Sequence, residues 1–265
     1  MDPMETRMLP SYDDVGSSEP ALLLLPGWCA DRSVYLDMVR HLASRFRVLA
    51  LDWRGHGRSP EVPGEFGEAE LLEDALAVIE QSGVRSVILV AQAHAGWVAI
   101  ALRRRLGLKV RGLVLLEWLV LGAPPTFLAA LSSMQSPAHW RDAVDRIFER
   151  WLAGSNDPRL TNFVRGRMGA HGYPMWARAA RAIQTAYARE GSPLAALGRL
   201  TPPVPVLHLY AQPRTPDFLV AQQGFARSQD WFQVELLEAR SHFPMFEVPE
   251  VMAGMIGQFV QSAAA

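Results

Sequence analysis

Five short apolar runs, each halted by turn-forming residues, alternate with stretches of helical periodicity over most of this sequence. Ala21–Leu25 stops at Pro26-Gly27, and Arg47–Leu51 runs into Asp52-Trp53-Arg54-Gly55-His56-Gly57. Val84–Val90, Leu113–Leu116 and Val204–Tyr210 repeat the form. Runs this short, bounded by turn signals, fit central strands of a parallel sheet covered on both faces. Val34–Ala43, Glu68–Gln81, Gly96–Leu106 and finally Pro249–Gln261 carry the helical spacing. Such alternation predicts an α/β fold built on a mostly parallel, doubly wound sheet. At 265 residues the chain is long enough for one large core, and a single domain over 1–265 is expected.

Residues 123–200 break the pattern. No strand-like run occurs there, only amphipathic stretches such as Ala138–Leu152 and Arg178–Ala188. A segment of this length is too long for a structureless loop in a compact domain. It reads as a helical cap inserted over the carboxyl edge of the sheet, where open α/β sheets bind ligands. Trp140, Trp151, Tyr173 and Trp176 lie within it, so aromatic walls for a small-molecule pocket are available.

Composition narrows the function classes. The net charge of −1, with no basic block, gives no footprint for nucleic acid or an anionic membrane. The single cysteine, Cys29, excludes an internal disulfide framework and any multi-cysteine zinc site. No apolar run reaches membrane-spanning length, and Met1–Pro20 is polar and acidic without a signal-like stretch, so a cytoplasmic location is expected.

Three motifs carry the chemistry. Leu25-Pro26-Gly27-Trp28-Cys29 follows the first apolar run, and Ala91-Gln92-Ala93-His94-Ala95-Gly96-Trp97 joins a strand to a helix. Ser241-His242-Phe243-Pro244 precedes the last helix. In this order, with Asp52–Gly57 and Ser59 between them, they resemble the α/β-hydrolase family over about Ala21–Val260. The family's strand-to-helix turn is a G-x-S-x-G elbow holding a strained, exposed serine. Here Ala93 occupies the serine position, and a methyl group offers no lone pair for acyl transfer. The backbone amides of Trp28 and His94 fall where the family builds its oxyanion hole, and amides serve there whatever their side chains.

The resemblance places His242 in the loop that delivers the family's base. A base histidine needs an acid to fix its tautomer. Glu117, the one charge in the apolar stretch from Leu113 to Leu121, is preferred over Asp217, which comes late in the other loop the family uses. A carboxylate in such surroundings is costly without a partner. The imidazole of His94 is expected to be packed rather than a second base. His56 and His208 are expected to be packed as well.

A narrower resemblance rests on Leu25–Cys29, Trp53–Gly57, Glu117-Trp118-Leu119 and Ser241–Pro244. Trp151-Leu152, Gly172-Tyr173 with Trp176, Gly191-Ser192-Pro193 and Trp231-Phe232 add to it. The set is similar to the cofactor-independent 3-hydroxy-4-oxoquinoline 2,4-dioxygenases. That resemblance implies a small aromatic substrate and O2 as partners, with neither metal nor flavin. It makes His242 the base and Glu117 its orienting acid. The Trp28 and His94 amides then face a substrate oxygen, and Gln92, Ala93, Trp151, Trp176 and Ile183 border the substrate. The chain departs from its relatives at three places. Gln92-Ala93-His94-Ala95-Gly96 stands for His-Ser-His-Gly-Gly, Glu117 for aspartate, and Ala30 for histidine. Two other readings keep the architecture: a serine-independent hydrolase or lyase using the same dyad, and an inactive small-molecule binding protein.

Overall fold

Continuous apolar runs form the middle of a sheet because only there are both faces of a strand covered. The computed structural model describes residues 9–264. Its strands are β1 (Tyr12–Val15), β2 (Ala21–Leu25), β3 (Val48–Leu51), β4 (Val87–Gln92), β5 (Val110–Leu116), β6 (Val206–Tyr210) and β7 (Phe232–Leu236). They form one sheet in the order β1-β3-β2-β4-β5-β6-β7. Every pairing is parallel except that of β1 with β3. β2, β3 and β4 are buried at every position, whereas Tyr12–Val15 is largely exposed and β7 alternates.

The helices on the two faces are α1 (Leu36–Leu42), α2 (Glu68–Gln81) and α3 (Ala95–Leu106) in the first half. Between β5 and β6 come α4 (Pro125–Met134), α5 (Trp140–Leu152), α6 (Pro158–Thr161), α7 (Tyr173–Glu190) and α8 (Pro193–Gly198). A π-helical turn at Asn162–Arg167 follows α6. The chain ends with α9 (Pro216–Ser228), α10 (Pro244–Glu247) and α11 (Pro249–Ala264). None of the described helices is long and apolar enough to cross a membrane. Strand order reverses at β2, whose neighbours are β3 and β4, and open sheets bind ligands in the crevice at such a reversal.

Several sequence expectations need correction. The run at Val84–Val90 becomes a strand only from Val87 and extends to the polar Gln92, because Gln92 is held inside by its side chain. The strands β1 and β7 and the helix α9 were not anticipated. Both strands lie at edges, where one face meets solvent and the apolar run that marks a central strand is absent.

One glycine fixes how closely α3 approaches β5. A Cβ at Gly96 would lie 2.2–2.7 Å from ring carbons of Trp118. That ring is buried and packs edge-on to Trp97 at 4.8 Å, so it has nowhere to retreat. Gly96→Ala is therefore expected to destabilise the fold by about 1–3 kcal/mol through overpacking. An unchanged urea midpoint in that variant would show that the Trp118 ring can move.

Candidate active site

Three non-glycine residues adopt left-handed backbone just beyond the carboxyl ends of adjacent strands. They are Cys29 after β2 (φ 63°), Ala93 after β4 (φ 48°) and Glu117 after β5 (φ 53°). Such conformations cost about 1–2 kcal/mol each for residues with a Cβ and cluster where geometry serves function. The neighbourhood enforces them. The Ala93 amide donates to the Leu116 carbonyl at 2.7 Å, the Glu117 amide to Leu209 at 3.0 Å and the Cys29 amide to His56 Nε2 at 3.1 Å.

These turns open onto a cavity of about 490 Å³. All nine residues singled out from the sequence border it: Trp28, Gln92, Ala93, His94, Glu117, Trp151, Trp176, Ile183 and His242. Ala30 does too, whereas Asp217 sits exposed in the first turn of α9 and is not part of the wall. Trp140 and Tyr173 pair with each other at 6.1 Å and do not line the cavity. Sequence reasoning missed the apolar wall from α4 and α5, which includes Phe127, Leu131, Met134 and Ile147. Their helical spacing does not distinguish a pocket wall from ordinary core.

At one end of the cavity His242 Nδ1 lies 3.3 Å from Glu117 Oε2. The Glu117 side chain is fully buried and that of His242 is 15% exposed, so the carboxylate is sequestered while the ring keeps an open edge. Backbone amides of Ala211 and Gln212 donate to the two Glu117 oxygens, the second at 3.2 Å. Burial pushes the Glu117 carboxyl above its ordinary range, with the His242 ring and those two amides pulling the other way. The imidazole of His242 stacks on Trp151 with centroids 5.0 Å apart and planes 9° from parallel. Its backbone amide donates to the Trp151 carbonyl at 2.8 Å, which ties the base loop to α5. With the carboxylate ionised, Nδ1 carries the ring proton and Nε2 presents a lone pair. Among the described residues Nε2 has no protein partner.

His94 is a different kind of histidine. Its ring stacks on Phe127 at 5.5 Å and meets Tyr187 edge-on at 5.7 Å. Trp118 Nε1 donates to His94 Nδ1 at 3.3 Å. An indole N–H can only donate, so Nδ1 accepts and the ring proton sits on Nε2. Burial, reinforced by nearby His242, lowers the His94 pKa to about 3. Gln92 accepts from the Gly27 amide at 3.3 Å and so joins the loops after β2 and β4. No hydrogen bond from the Trp28 or His94 amide to another group occurs among the described residues. Trp176 has a buried indole N–H that is likewise without a partner. No group of three or more His, Cys, Asp or Glu side chains among the described residues is arranged to hold a metal ion.

Residues 22–255 match the alpha/beta hydrolase family. The chain is 34% identical over 244 residues to a 2-heptyl-3-hydroxy-4-quinolone dioxygenase of Rhodococcus erythropolis, covering 92% of this chain and 87% of that one. It is 32% identical over 256 residues to the 1H-3-hydroxy-4-oxoquinoline 2,4-dioxygenase of Pseudomonas putida, covering 96% and 97%. The solved structure of a variant enzyme that recognises and cleaves the Pseudomonas quinolone signal, bound to its substrate, superposes with a TM-score of 0.91. There the identity is 31%, and 95% of each chain is covered. The chain belongs to the alpha/beta hydrolase family and, within it, to the 3-hydroxy-4-quinolone dioxygenases.

The buried His56 and His208, together with the half-buried His94, give this dioxygenase-family fold a defined acid limit. Burial lowers the pKa of His56 to about 4, of His94 to about 3 and of His208 to about 4. The unfolded chain protonates these rings below about 6.5 while the folded chain holds them neutral. Stability is thus full above pH 6.5 and lost as pH falls toward 4, by about 1.4 kcal/mol per pH unit for each ring. Glu117 acts in the opposite direction, because its carboxyl is raised on folding. Glu190 is held at about 2 by Arg104, with Arg199 and Arg189 assisting, so its contribution survives until stronger acid. Urea midpoints are expected to fall steeply between pH 6.5 and 4, and a flat profile there would contradict the neutral rings.

Proposed function

We propose that this chain is a cofactor-independent dioxygenase. It cleaves a 3-hydroxy-4-quinolone-like ring with O2, releases carbon monoxide and leaves an N-acylanthranilate. The observation that carries this reading is the His242–Glu117 pair, 3.3 Å apart at the end of an aromatic cavity whose nucleophile elbow holds Ala93. A base and a cavity to hold a substrate are present without a group for covalent catalysis.

The sequence of steps follows from the substrate's own electrons. His242 Nε2 takes the proton of the substrate 3-hydroxyl, and Glu117 stabilises the imidazolium that results. The electron-rich anion gives electrons to O2, and a peroxide bond forms at carbon 2. The distal oxygen then closes onto carbon 4. The O–O bond and the two bonds of carbon 3 to the ring break, and carbon 3 departs as carbon monoxide. Both oxygen atoms remain in the acylanthranilate, one in the amide carbonyl and one in the new carboxylate. The unpartnered amides of Trp28 and His94 are the donors for the substrate oxygen, and water exclusion by Trp151, Trp176 and Ile183 keeps the anion reactive. In this reading the α4–α8 insertion is the cap that closes the cavity, and the single-domain enzyme works in the cytoplasm.

Ala93 has a defined effect here. It removes one polar contact to the substrate and leaves the proton acceptor in place. Incubation with 3-hydroxy-4-quinolone in air tests the proposal: oxygen uptake matched by carbon monoxide release is the expected result. Turnover that continues without oxygen would move the dyad to hydrolase or lyase chemistry. Tight binding with no turnover at all would leave only a binding protein.

A further inference from the structure

The inner wall of the cavity is apolar and aromatic, and its formal charges apart from the dyad lie on three arginines. These are Arg150 in the last turn of α5, Arg214 after β6 and Arg240 in the loop that precedes His242. All three are exposed, so they form a rim and not a buried cluster. Arg214 is committed to the fold: its Nη1 donates to the carbonyls of Leu237 at 2.8 Å and Ala239 at 2.9 Å. Its other nitrogen lies 3.4 Å from the exposed Glu238. Arg150 and Arg240 have no ion pair among the described residues. The nearby Glu247 makes no ion pair with the Arg240 guanidinium among the described residues; its two oxygens accept from the amides of Arg240 at 3.0 Å and Ser241 at 2.8 Å.

The backbone beneath these two side chains is held in place. Gln212 Nε2 donates to the carbonyl of Arg150 at 3.1 Å and to that of Arg240 at 2.7 Å. The amide of the same Gln212 donates to Glu117, so the rim is joined directly to the dyad. Two guanidinium groups with free forks thus stand at the mouth of an aromatic cavity, a few bonds from the base. A guanidinium presents paired N–H donors whose geometry matches a carboxylate, and an unpaired pair at a cleft mouth draws anions toward it.

We infer that Arg150 and Arg240 form an anion subsite that takes the carboxylate of an aromatic acid whose ring lies in the cavity. This rests on the ring-cleaving reading of the same cavity. The carboxylate has two chemical sources: a substituent on the substrate, or the group newly formed on the acylanthranilate product. Either source gives the rim the same ligand chemistry.

The test has a binding arm independent of turnover and a kinetic arm that separates the sources. Calorimetry with N-acetylanthranilate and its methyl ester reads binding alone. The acid is expected to bind about tenfold more tightly than the ester, a preference that shrinks as salt is raised and disappears in the double variant Arg150→Ala/Arg240→Ala. Truncation of these side chains leaves the backbone carbonyls that Gln212 holds, and near-ultraviolet circular dichroism checks that the fold survives. The kinetic arm compares kcat/KM for 3-hydroxy-4-quinolones with and without a carboxyl group on the benzo ring. A preference for the carboxylated substrate that the double variant abolishes assigns the subsite to substrate. Discrimination confined to N-acetylanthranilate assigns it to product. Equal affinity for acid and ester, together with no preference between the substrates, would overturn the inference. If neither quinolone is turned over while the acid still binds more tightly, the ring-cleaving reading fails and the subsite stands.

Discussion

Replacing His242 with alanine is expected to lower kcat by at least about 10²-fold, the usual loss when a positioned general base is removed. The ring has an open edge and its main structural bond is made by its backbone, which still donates to the Trp151 carbonyl at 2.8 Å in the variant. The fold should therefore remain, and the loss should fall on the chemical step. His94 cannot take over. Its pKa of about 3 leaves it a weak base, and its Nδ1 is occupied by the Trp118 indole. Single-turnover rates measured with 3-hydroxy-4-quinolone decide the matter. A rate within about threefold of the parent would remove His242 from the mechanism and with it the assignment of the base.

The second large effect is expected at Glu117. In Glu117→Gln the side chain keeps its length but loses the charge that stabilises an imidazolium, and kcat should again fall by about 10²-fold or more. The amide must also face donors it cannot fully satisfy. The Ala211 and Gln212 amides both point at the present carboxylate, and a Gln side chain has one oxygen to offer them and Nδ1 together. Glu117 acts through His242, so a positioning role predicts a fall in kcat with KM little changed. It also predicts partial recovery in Glu117→Asp, which restores the carboxylate one methylene further from the ring. A variant pair in which Gln and Asp behave alike would show that charge at this position is irrelevant to the reaction.

How far these residues were legible from sequence depends on what kind of physics fixed them. Ala21–Leu25 was readable at its true bounds because five consecutive buried apolar residues leave a strand few alternatives. Glu117 was readable because a charge inside an apolar run demands an explanation, and its partner ring is 3.3 Å away. The edge strands Tyr12–Val15 and Phe232–Leu236 were not, since partial exposure erases the apolar run. Nor were the cavity walls contributed by Phe127 and Ile147, whose helical spacing is that of any core residue. The arginine rim was invisible for a third reason. Arg150, Arg214 and Arg240 come from three separate segments, and only the folded chain brings their side chains to one mouth.

The bend at Ala93 bears on which parts of a shared scaffold can change independently of one another. Its left-handed backbone is upheld by the carbonyl of Leu116 and by the helix that starts at Ala95, and neither involves the side chain at position 93. Losing a hydroxyl there therefore need not relax the turn, and the neighbouring N–H groups keep their aim. The serine that relatives carry at this bend can thus be lost while the costly part, a contorted loop between strand and helix, passes on unchanged.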